Sequence, residues 1–295
     1  MASLKDVRVK ISGVRKTKQI TRAMNMVASA KLRGAQTRME KFSAYADRFH
    51  EILQNLAARD AEISHPLLTS HEDVKRVGII LVTSDRGLCG AFNINLIAEA
   101  LGLARAKKAE GKEVTFYCTG KKGRDAVRKA GFAITSDMTG SMAHLDFTVA
   151  DRIGLEVIDG YVNNQLDEVI LIYSQFVSLM RLFPTVQQIL PVQQQKSETK
   201  EEANIAANTM EYIFEPSGEA LMDALLPRIV KCLIYRGLLD TSTSENAARM
   251  TAMDNATRNC DELIRSLTQL FNKTRQAAIT NELIDIVGGV EALKG

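Results

Sequence analysis

Apolar residues spaced by threes and fours run from Leu4 to Leu56 and constrain this fold more than any other feature. They are Leu4, Val7, Ile11 and Val14, then Ala28, Leu32, Ala35, Met39, Phe42, Ala46, Phe49, Leu53 and Leu56. This spacing is the heptad pattern of a coiled coil. Because no proline precedes Pro66, we predict an N-terminal coiled-coil helix within residues 1–60. A helix of about 50 residues would be roughly 80 Å long at 1.5 Å per residue.

The same spacing returns near the other end of the chain, at Met250, Met253, Thr257, Cys260, Ile264, Leu267 and Phe271. It predicts a second coiled-coil helix over residues 210–290, with fraying or a break near "DTSTSE" and a stop at Gly288-Gly289. Both seams are too apolar to remain in water, so the two helices are expected to pair antiparallel. The second helix is expected to extend beyond the start of the first.

The middle of the chain changes period. Short β-rich runs at 77–84, 113–120, 133–138 and 167–176 alternate with helical stretches. This alternation predicts a central α/β domain over residues 75–195 with a largely parallel sheet. The segment "SLMRLFPTVQQILPV" should add an edge strand, because its prolines restrict it to the margin of a sheet. The polar run "QQQKSETKEEAN" is predicted to be a loop.

The predicted fold class is therefore α/β: a long antiparallel coiled coil of N- and C-terminal helices with a central Rossmann-like α/β domain. It corresponds to a globular base that carries a stalk. The four cysteines and four histidines lack the spacing of a disulfide framework or a zinc site. No stretch of about 18 apolar residues predicts a membrane span.

Charge is distributed unevenly along the chain. Residues 1–41 contain eleven Lys or Arg and two acids, a net charge of +9, whereas the whole chain carries +3. A basic helix can bind nucleic acid, but this one has few aromatic residues and the remainder of the chain is net acidic. A basic coiled-coil nucleic-acid-binding or scaffold protein is kept as the alternative function.

The loop "TSDRGLCGAFN" follows the first predicted strand, where α/β sheets usually bind ligands. A phosphate-binding loop would need the pattern GxxxxGK[ST] or GxGxxG, and Gly87 and Gly90 fit neither. The segment "TGKKG" at 119–123 has the Gly-Lys pair but lacks the upstream glycine of the first pattern. We therefore interpret the first loop as a strand-to-helix turn with glycines at strained positions and with Asn93 or Asn95 capping the helix. Cys89 is expected to be a small buried thiol. No catalytic, cofactor-binding or metal-binding residue is predicted, and a nucleotide-dependent enzyme is the least favoured function.

The helix around "KTKQITRAMNMVASAKL", residues 16–32, does not follow the simple pattern. Lys18, Thr21 and Asn25 occupy the seam, while apolar Ile20 and Met26 lie on other faces. Polar seam residues often set the register of a coiled coil. The alternative is a helix that other subunits contact from outside.

Three segments together resemble the gamma-subunit family of F-type ATP synthase. They are "KDVRVKISGVRKTKQITRAMNMVASAKL", "TSDRGLCGAFN" and "ENAARMTAMDNATRNCDELIRSLTQLFNKTRQAAITNELIDIVGG". The resemblance covers the whole chain in the order of the family. It implies a non-catalytic central-stalk rotor without a cofactor, whose coiled coil passes through the α3β3 hexamer of alpha and beta subunits. The α/β domain would rest with the epsilon subunit on the membrane c-ring, and catalysis would occur on the beta subunits.

The resemblance also implies rotor–stator contact residues. Met24 matches the family's "AMxMVA" segment, near an acidic lever loop of the catalytic subunit, and Arg8, Arg22 and Arg249 are placed for such contacts. Three residues of "RQAAITNEL" match family positions that are linked with coupling: Gln276, Thr280 and Glu282. The terminal residues Ile284, Ile286, Val287 and Val290 would turn within a hydrophobic sleeve.

Departures from related forms narrow the expected location. The cysteine-containing regulatory insert of the chloroplast form is missing from the central region, so thiol regulation is not expected. No transit-like leader precedes "MASLKDVRVK". We therefore expect a peripheral subunit on the cytoplasmic side of a bacterial cell inner membrane, involved in hydrogen ion transport, with a mature organellar chain as the alternative.

Overall fold

The computed structural model describes residues 4–59, 65–71, 73–192 and 218–292. Its elements, in chain order, are α1 (Leu4–Arg59), β1 (Arg76–Val82), α2 (Phe92–Ala109), β2 (Glu113–Thr119), α3 (Lys121–Lys129), β3 (Ala133–Asp137), a 3-10 helix (Ser141–His144), α4 (Phe147–Val162), β4 (Glu168–Ser178), β5 (Arg181–Leu190) and α5 (Gly218–Ala292). At 56 and 75 residues, α1 and α5 far exceed the globular mean of about 12.

The five strands form one sheet in the order β3-β2-β1-β4-β5. The pairs β1–β2, β1–β4 and β2–β3 are parallel, and β5 pairs antiparallel with β4. Strand β5 coincides with the predicted proline-containing edge, and Pro184 lies opposite Ser174 of β4. The predicted α/β class and the edge strand are confirmed.

Both faces of the sheet are covered. Val77, Ile79 and Leu81 of β1 point into a core with α2, where Leu96 and Ala100 are fully enclosed. The alternate β1 residues join a second core on the opposite face, formed with α4 and the first part of α5. A parallel sheet buried on both faces explains why β1 is a continuous apolar run.

Contacts divide the chain into two compact units. The helix-pair unit contains Met1–Ala30 and Arg249–Gly295, and the sheet unit contains Lys31–Ala248. The later seam residues of α1, such as Leu32 and Ala35, are buried within the sheet unit. The predicted boundaries at 60, 75, 195 and 210 stay predictions.

Two details of the predicted second helix are wrong. Helix α5 is continuous through "DTSTSE", and it passes Gly288-Gly289 and ends at Ala292. Nothing lies within 4 Å of a Cβ added at either glycine, so no packing contact forces a stop there. Residues 1–3, 60 and 210–217 of the predicted helices, residues 193–195 of the predicted domain and the predicted loop "QQQKSETKEEAN" lie outside the described residues.

Asp167 connects the start of β4 to the start of β1. Its carboxylate is 3% exposed and accepts bonds from the guanidinium of Arg76, the ring Nδ1 of His71 and the backbone N–H groups of Lys75 and Arg76. Burial alone would raise the pKa of Asp167, but these donors outweigh it and hold the pKa well below its usual value. The ionised carboxylate therefore stabilises the edge of the sheet at which β1 and β4 begin.

Gly120 sits where β2 turns into α3 with a φ of +99°, a conformation that L residues rarely adopt. A Cβ at this position would lie 2.1 Å from the carbonyl oxygen of Thr83. The first turn of α3 therefore packs directly against the end of β1.

We predict that Asp167→Asn lowers the free energy of unfolding at pH 7 by about 2 kcal/mol or more, because bonds to a buried charge are lost. Since the folded pKa is depressed, this contribution is fully present above the unfolded pKa of about 3.9 and is lost progressively as pH falls from there toward the lower folded pKa. Urea unfolding of both proteins at pH 7 and pH 3 measures the difference. Asp73→Asn is the control, because Asp73 pairs with Lys75 at an 83% exposed site and should cost less than about 1 kcal/mol. A difference that persists unchanged at pH 3 would contradict the assignment.

We predict that Gly120→Ala lowers the free energy of unfolding by more than about 3 kcal/mol, because backbone strain and a collision with Thr83 act together. Gly131→Ala is the matched control. Gly131 also has a positive φ, of +76°, but open space surrounds its added Cβ, so only about 1–2 kcal/mol of strain is expected. Thermal unfolding of the two variants compares them directly, and equal losses would show that the close approach contributes nothing.

Candidate functional site

All seven predicted contact residues belong to the helix-pair unit. Arg8, Arg22 and Met24 lie on α1, and the others lie on α5: Arg249, Gln276, Thr280 and Glu282. They do not form one cluster. Arg249 and Glu282 are separated by 33 positions of a continuous helix, which is roughly 50 Å at 1.5 Å per residue.

The polar seam positions of α1 face α5 within this unit. The hydroxyls of Thr21 and Thr257 are 2.8 Å apart, and the Asn25 side-chain amide donates to the carbonyl of Met250 at 2.8 Å. One turn away, the Lys18 ammonium pairs with the carboxylate of Asp261. Higher numbers on one helix meet lower numbers on the other, so the pairing is antiparallel. These directional bonds set the register, as the first interpretation of the polar seam predicts.

Apolar side chains of the same stretch point outward. Met26 is 61% exposed, and Val9, Ile20 and Val27 are exposed to a similar extent. Exposed apolar side chains also occur along α5, at Leu263, Leu270, Ile279 and Leu283. The helix pair therefore has hydrogen bonds in its interior and apolar groups on its surface. A surface of this kind is suited to contact with other proteins on several sides.

The predicted contact residues differ in their surroundings. The guanidinium of Arg8 lies 5.5 Å from the centre of the Phe271 ring, a cation–π distance. Arg22 and Glu282 are exposed, and Met24 is half-buried. The hydroxyl of Thr280 donates to the carbonyl of Gln276, one turn earlier in its own helix. Their exposed groups remain accessible to partners.

The end of α5 has no counterpart on α1. Because Arg8, in the second turn of α1, already reaches Phe271, the last turns of α5 continue past the first described residue of α1. Residues 281–290 are all exposed, including the apolar side chains of Ile284, Ile286, Val287 and Val290. This exposed apolar end, which extends past α1, is the tip that the sequence predicts.

The second candidate site is the loop between β1 and α2 together with the start of α3. The first N–H groups of α3, which a bound phosphate would use, already have partners. Lys121 N–H donates to the Asp85 carboxylate at 3.0 Å, Lys122 N–H to the Ser84 carbonyl at 3.1 Å, and Gly123 N–H to the Thr83 hydroxyl at 2.8 Å. This helix start is therefore not arranged as a phosphate cradle.

The loop differs from the prediction in two details. Positive φ angles occur at Leu88 and Gly90, rather than at Gly87. Asn93 does not cap α2; its side-chain oxygen accepts the Ser84 N–H at 3.0 Å, and its amide donates to Ser84 Oγ and Cys89 Sγ. Asn95 does not cap α2 either, since it lies inside the helix and its N–H donates to Ala91. Cys89 is buried, as expected.

The carboxyl edge between β1 and β4 is where a doubly wound sheet usually holds a ligand. Here α5 packs against that edge, and its residues Asp240–Asn246 are all buried. The hydroxyl of Thr243 and the amide of Asn246 donate to carbonyls one turn back in the helix. Burial raises the pKa of Asp240 to about 6, against the opposing effect of Arg236. This packing was not predicted from the sequence; the available signal was the cluster of small hydroxyl residues between apolar turns.

Among the described residues, no group of His, Cys, Asp or Glu is placed to hold a metal ion. Within the same ranges, no helix is long and apolar enough to cross a membrane.

Comparisons with known proteins agree with this organisation. The family described as ATP synthase matches residues 3–293. The ATP synthase gamma chain of Nitratidesulfovibrio vulgaris strain Hildenborough is 59% identical over 295 residues, and that of strain Miyazaki F is 58% identical, each across the full length of both chains.

A solved structure shares the fold. It is a chain of the Euglena gracilis mitochondrial ATP synthase, from a cryo-EM structure of OSCP, F1 and the c-ring in rotational state 3. The TM-score is 0.63 at 19% identity, and the match covers 98% of this chain and 94% of that one. Together, the full-length family match and the identity to the bacterial relatives show that the chain belongs to the family of ATP synthase gamma chains.

Proposed function

We propose that this gamma chain is the rotor of the central stalk and couples ion flow through the membrane ring to ATP synthesis and hydrolysis on the α3β3 hexamer. The observation that carries the proposal is the helix pair. Its interior is closed by register-setting hydrogen bonds, and its surface presents apolar and basic groups on several sides. A helix pair with this surface can contact surrounding subunits in more than one orientation.

As an ATP synthase gamma chain, the protein is a non-catalytic stalk subunit, and catalysis lies in the beta subunits. Coupling then depends on differential affinity. One asymmetric helix pair cannot contact three identical catalytic subunits alike, so each orientation favours a different open or closed state of each subunit. Turning the helix pair shifts these states in sequence, and nucleotide binding in turn drives the rotation.

We assign the contact residues in two groups. Arg8, Arg22 and Arg249, together with Met24, face the acidic lever loops of the catalytic subunits. The other group, at positions linked with coupling, is Gln276, Thr280 and Glu282. Of these, Glu282 bonds to loops of the hexamer at particular rotary angles, as does Arg249. The exposed tip around Ile286 turns in a hydrophobic sleeve, because apolar contacts are non-directional and allow rotation.

The proposed partners are the alpha, beta and epsilon subunits and the c-ring. The Euglena structure, in which F1 and the c-ring occur together, supports an assembly of this kind. The complex would hold the chain peripherally at the cytoplasmic side of a bacterial inner membrane, where it takes part in hydrogen ion transport.

The direct test combines the chain, labelled in the sheet unit, with alpha and beta subunits from the same source. Stepwise ATP-driven rotation of the label, seen in single complexes, is expected. A hexamer that hydrolyses ATP without binding the chain would overturn the rotor proposal. Steep salt-dependent binding of the chain to DNA would then favour the nucleic-acid alternative.

We predict that Met24→Lys leaves assembly intact but lowers the number of ions pumped per ATP at least twofold. The added cation would strengthen contact with an acidic loop at some angles and so trap those orientations. ATP hydrolysis and fluorescence-detected proton pumping in inverted membrane vesicles measure the ratio. Met24→Leu, which keeps an apolar side chain of similar size, should leave it unchanged. An unchanged ratio in Met24→Lys would remove the proposed contact.

We predict that deleting residues 284–295 reduces torque but not the stability of the fold, because residues 284–290 are exposed and add nothing to either core. The speed of a rotating bead under viscous load measures torque, and thermal unfolding measures stability. A truncated chain that unfolds at a clearly lower temperature would show that the tip contributes to folding.

A further inference from the structure

Ser174 lies at a gap in the sheet. The last β4 residue paired with β1 is Ile172, opposite Leu81, so Ser174 lies beyond the end of its parallel neighbour. On its other side it lies opposite Pro184 of β5, which has no N–H group. Ser174 is nevertheless buried. Its backbone N–H and carbonyl therefore need partners from outside the sheet.

Helix α5 supplies both partners. The N–H of Ser174 donates to the hydroxyl oxygen of Thr241 at 3.1 Å, and the hydroxyl of Ser244 donates to the carbonyl of Ser174 at 3.2 Å. In an antiparallel ladder, a residue bonds the residue opposite through both its backbone N–H and its carbonyl, or through neither. The N–H and the carbonyl of Ser174 both bond α5, so neither needs a partner on Pro184, which has no N–H group.

Close packing holds the helix in this position. Gly237 lies one turn before Thr241, and a Cβ there would be 2.6 Å from Leu171 Cδ2 and 3.3 Å from the Tyr173 ring. Since residues four apart share a helix face, Gly237 and Thr241 face the same strand. Thr241 and Ser244 are fully enclosed. At Gly237 the backbone of α5 thus packs directly against the Leu171 and Tyr173 side chains of β4, and one turn later the helix is hydrogen-bonded to the same strand.

We propose that Thr241 and Ser244, bonded to Ser174, fasten α5 to the sheet against sliding and rotation, so that torque passes between them without slip. This rests on the proposed rotor function and names a positioning element within it. The surrounding contacts of α5 with the sheet are largely apolar, and their attraction has no preferred direction, so beyond the close contact at Gly237 they define the rotation of the helix less sharply than hydrogen bonds do. Hydrogen bonds are directional and weaken steeply when misaligned. Two hydrogen bonds to the backbone of one strand residue fix both the rotation of α5 about its axis and its position along that axis.

The test is the double variant Thr241→Val with Ser244→Ala, which removes both hydroxyls with little change of shape. Thr243→Val is the matched control. Thr243 is equally buried two positions away, but its hydroxyl bonds the Leu239 carbonyl of its own helix. A bead is attached through Met180→Cys, at an 85% exposed position in the β4–β5 turn. Complexes with alpha and beta subunits then rotate the bead under increasing viscous load.

The double variant should hydrolyse ATP at the wild-type rate but lose at least half of its torque under load, whereas the Thr243→Val complex keeps its torque. Thr241→Ser, which retains the hydroxyl, should keep it too. Full torque in the double variant, or an equal loss in the control, would overturn the fastening. If the double variant does not fold, the comparison of Thr241→Val with Thr241→Ser decides in the same way. A wild-type complex that does not rotate would instead overturn the rotor function, and the role of the fastening with it.

Discussion

The antiparallel pairing of α1 with α5 is the interaction on which the remaining structure depends. Each helix carries an apolar seam that is unfavourable in water, and a helix of this length is not stabilised by propensity alone. Pairing buries Val7 and Ile11 on α1 and Met253 and Cys260 on α5. It also leaves the other faces of both helices free to carry whatever side chains the function requires.

That freedom is used in an unusual way around residues 16–32. In an ordinary coiled coil the apolar groups are inside and the polar ones outside. Here Thr21 and Asn25 bond across the seam while Met26 and Val27 are exposed. The hydrogen bonds hold the register with less buried apolar area, and the outward apolar groups become available to other subunits. Register setting and outside contact are alternatives when only the sequence is considered, but the structure combines the first with a surface suited to the second.

In the sheet unit, groups that could bind a ligand are bonded to other parts of the chain instead. Its fold is that of ligand-binding doubly wound sheets, yet the amides at the start of α3 are bonded to the end of β1 and to Asp85. The carboxyl edge between β1 and β4 is in contact with α5 through Ser174. Positions that bind a cofactor in many proteins of this architecture instead hold parts of the chain together.

Much of the architecture could be predicted because it follows from local patterns. The three-four spacing determined two long helices, the change of period determined the α/β region, and the prolines placed β5 at the edge. The sequence by itself thus determined which segments form helices and strands, and its long motifs determined the family. Only the tertiary structure decided the conformation of "DTSTSE", where serines and threonines suggest a break in isolation but remain helical because they bond the helix or Ser174. It likewise decided that Asn93 ties the loop to Ser84 instead of capping α2. In each case the partner of a polar group lies across a packing contact, and side-chain spacing carries no information about which distant backbone group will be left without a partner.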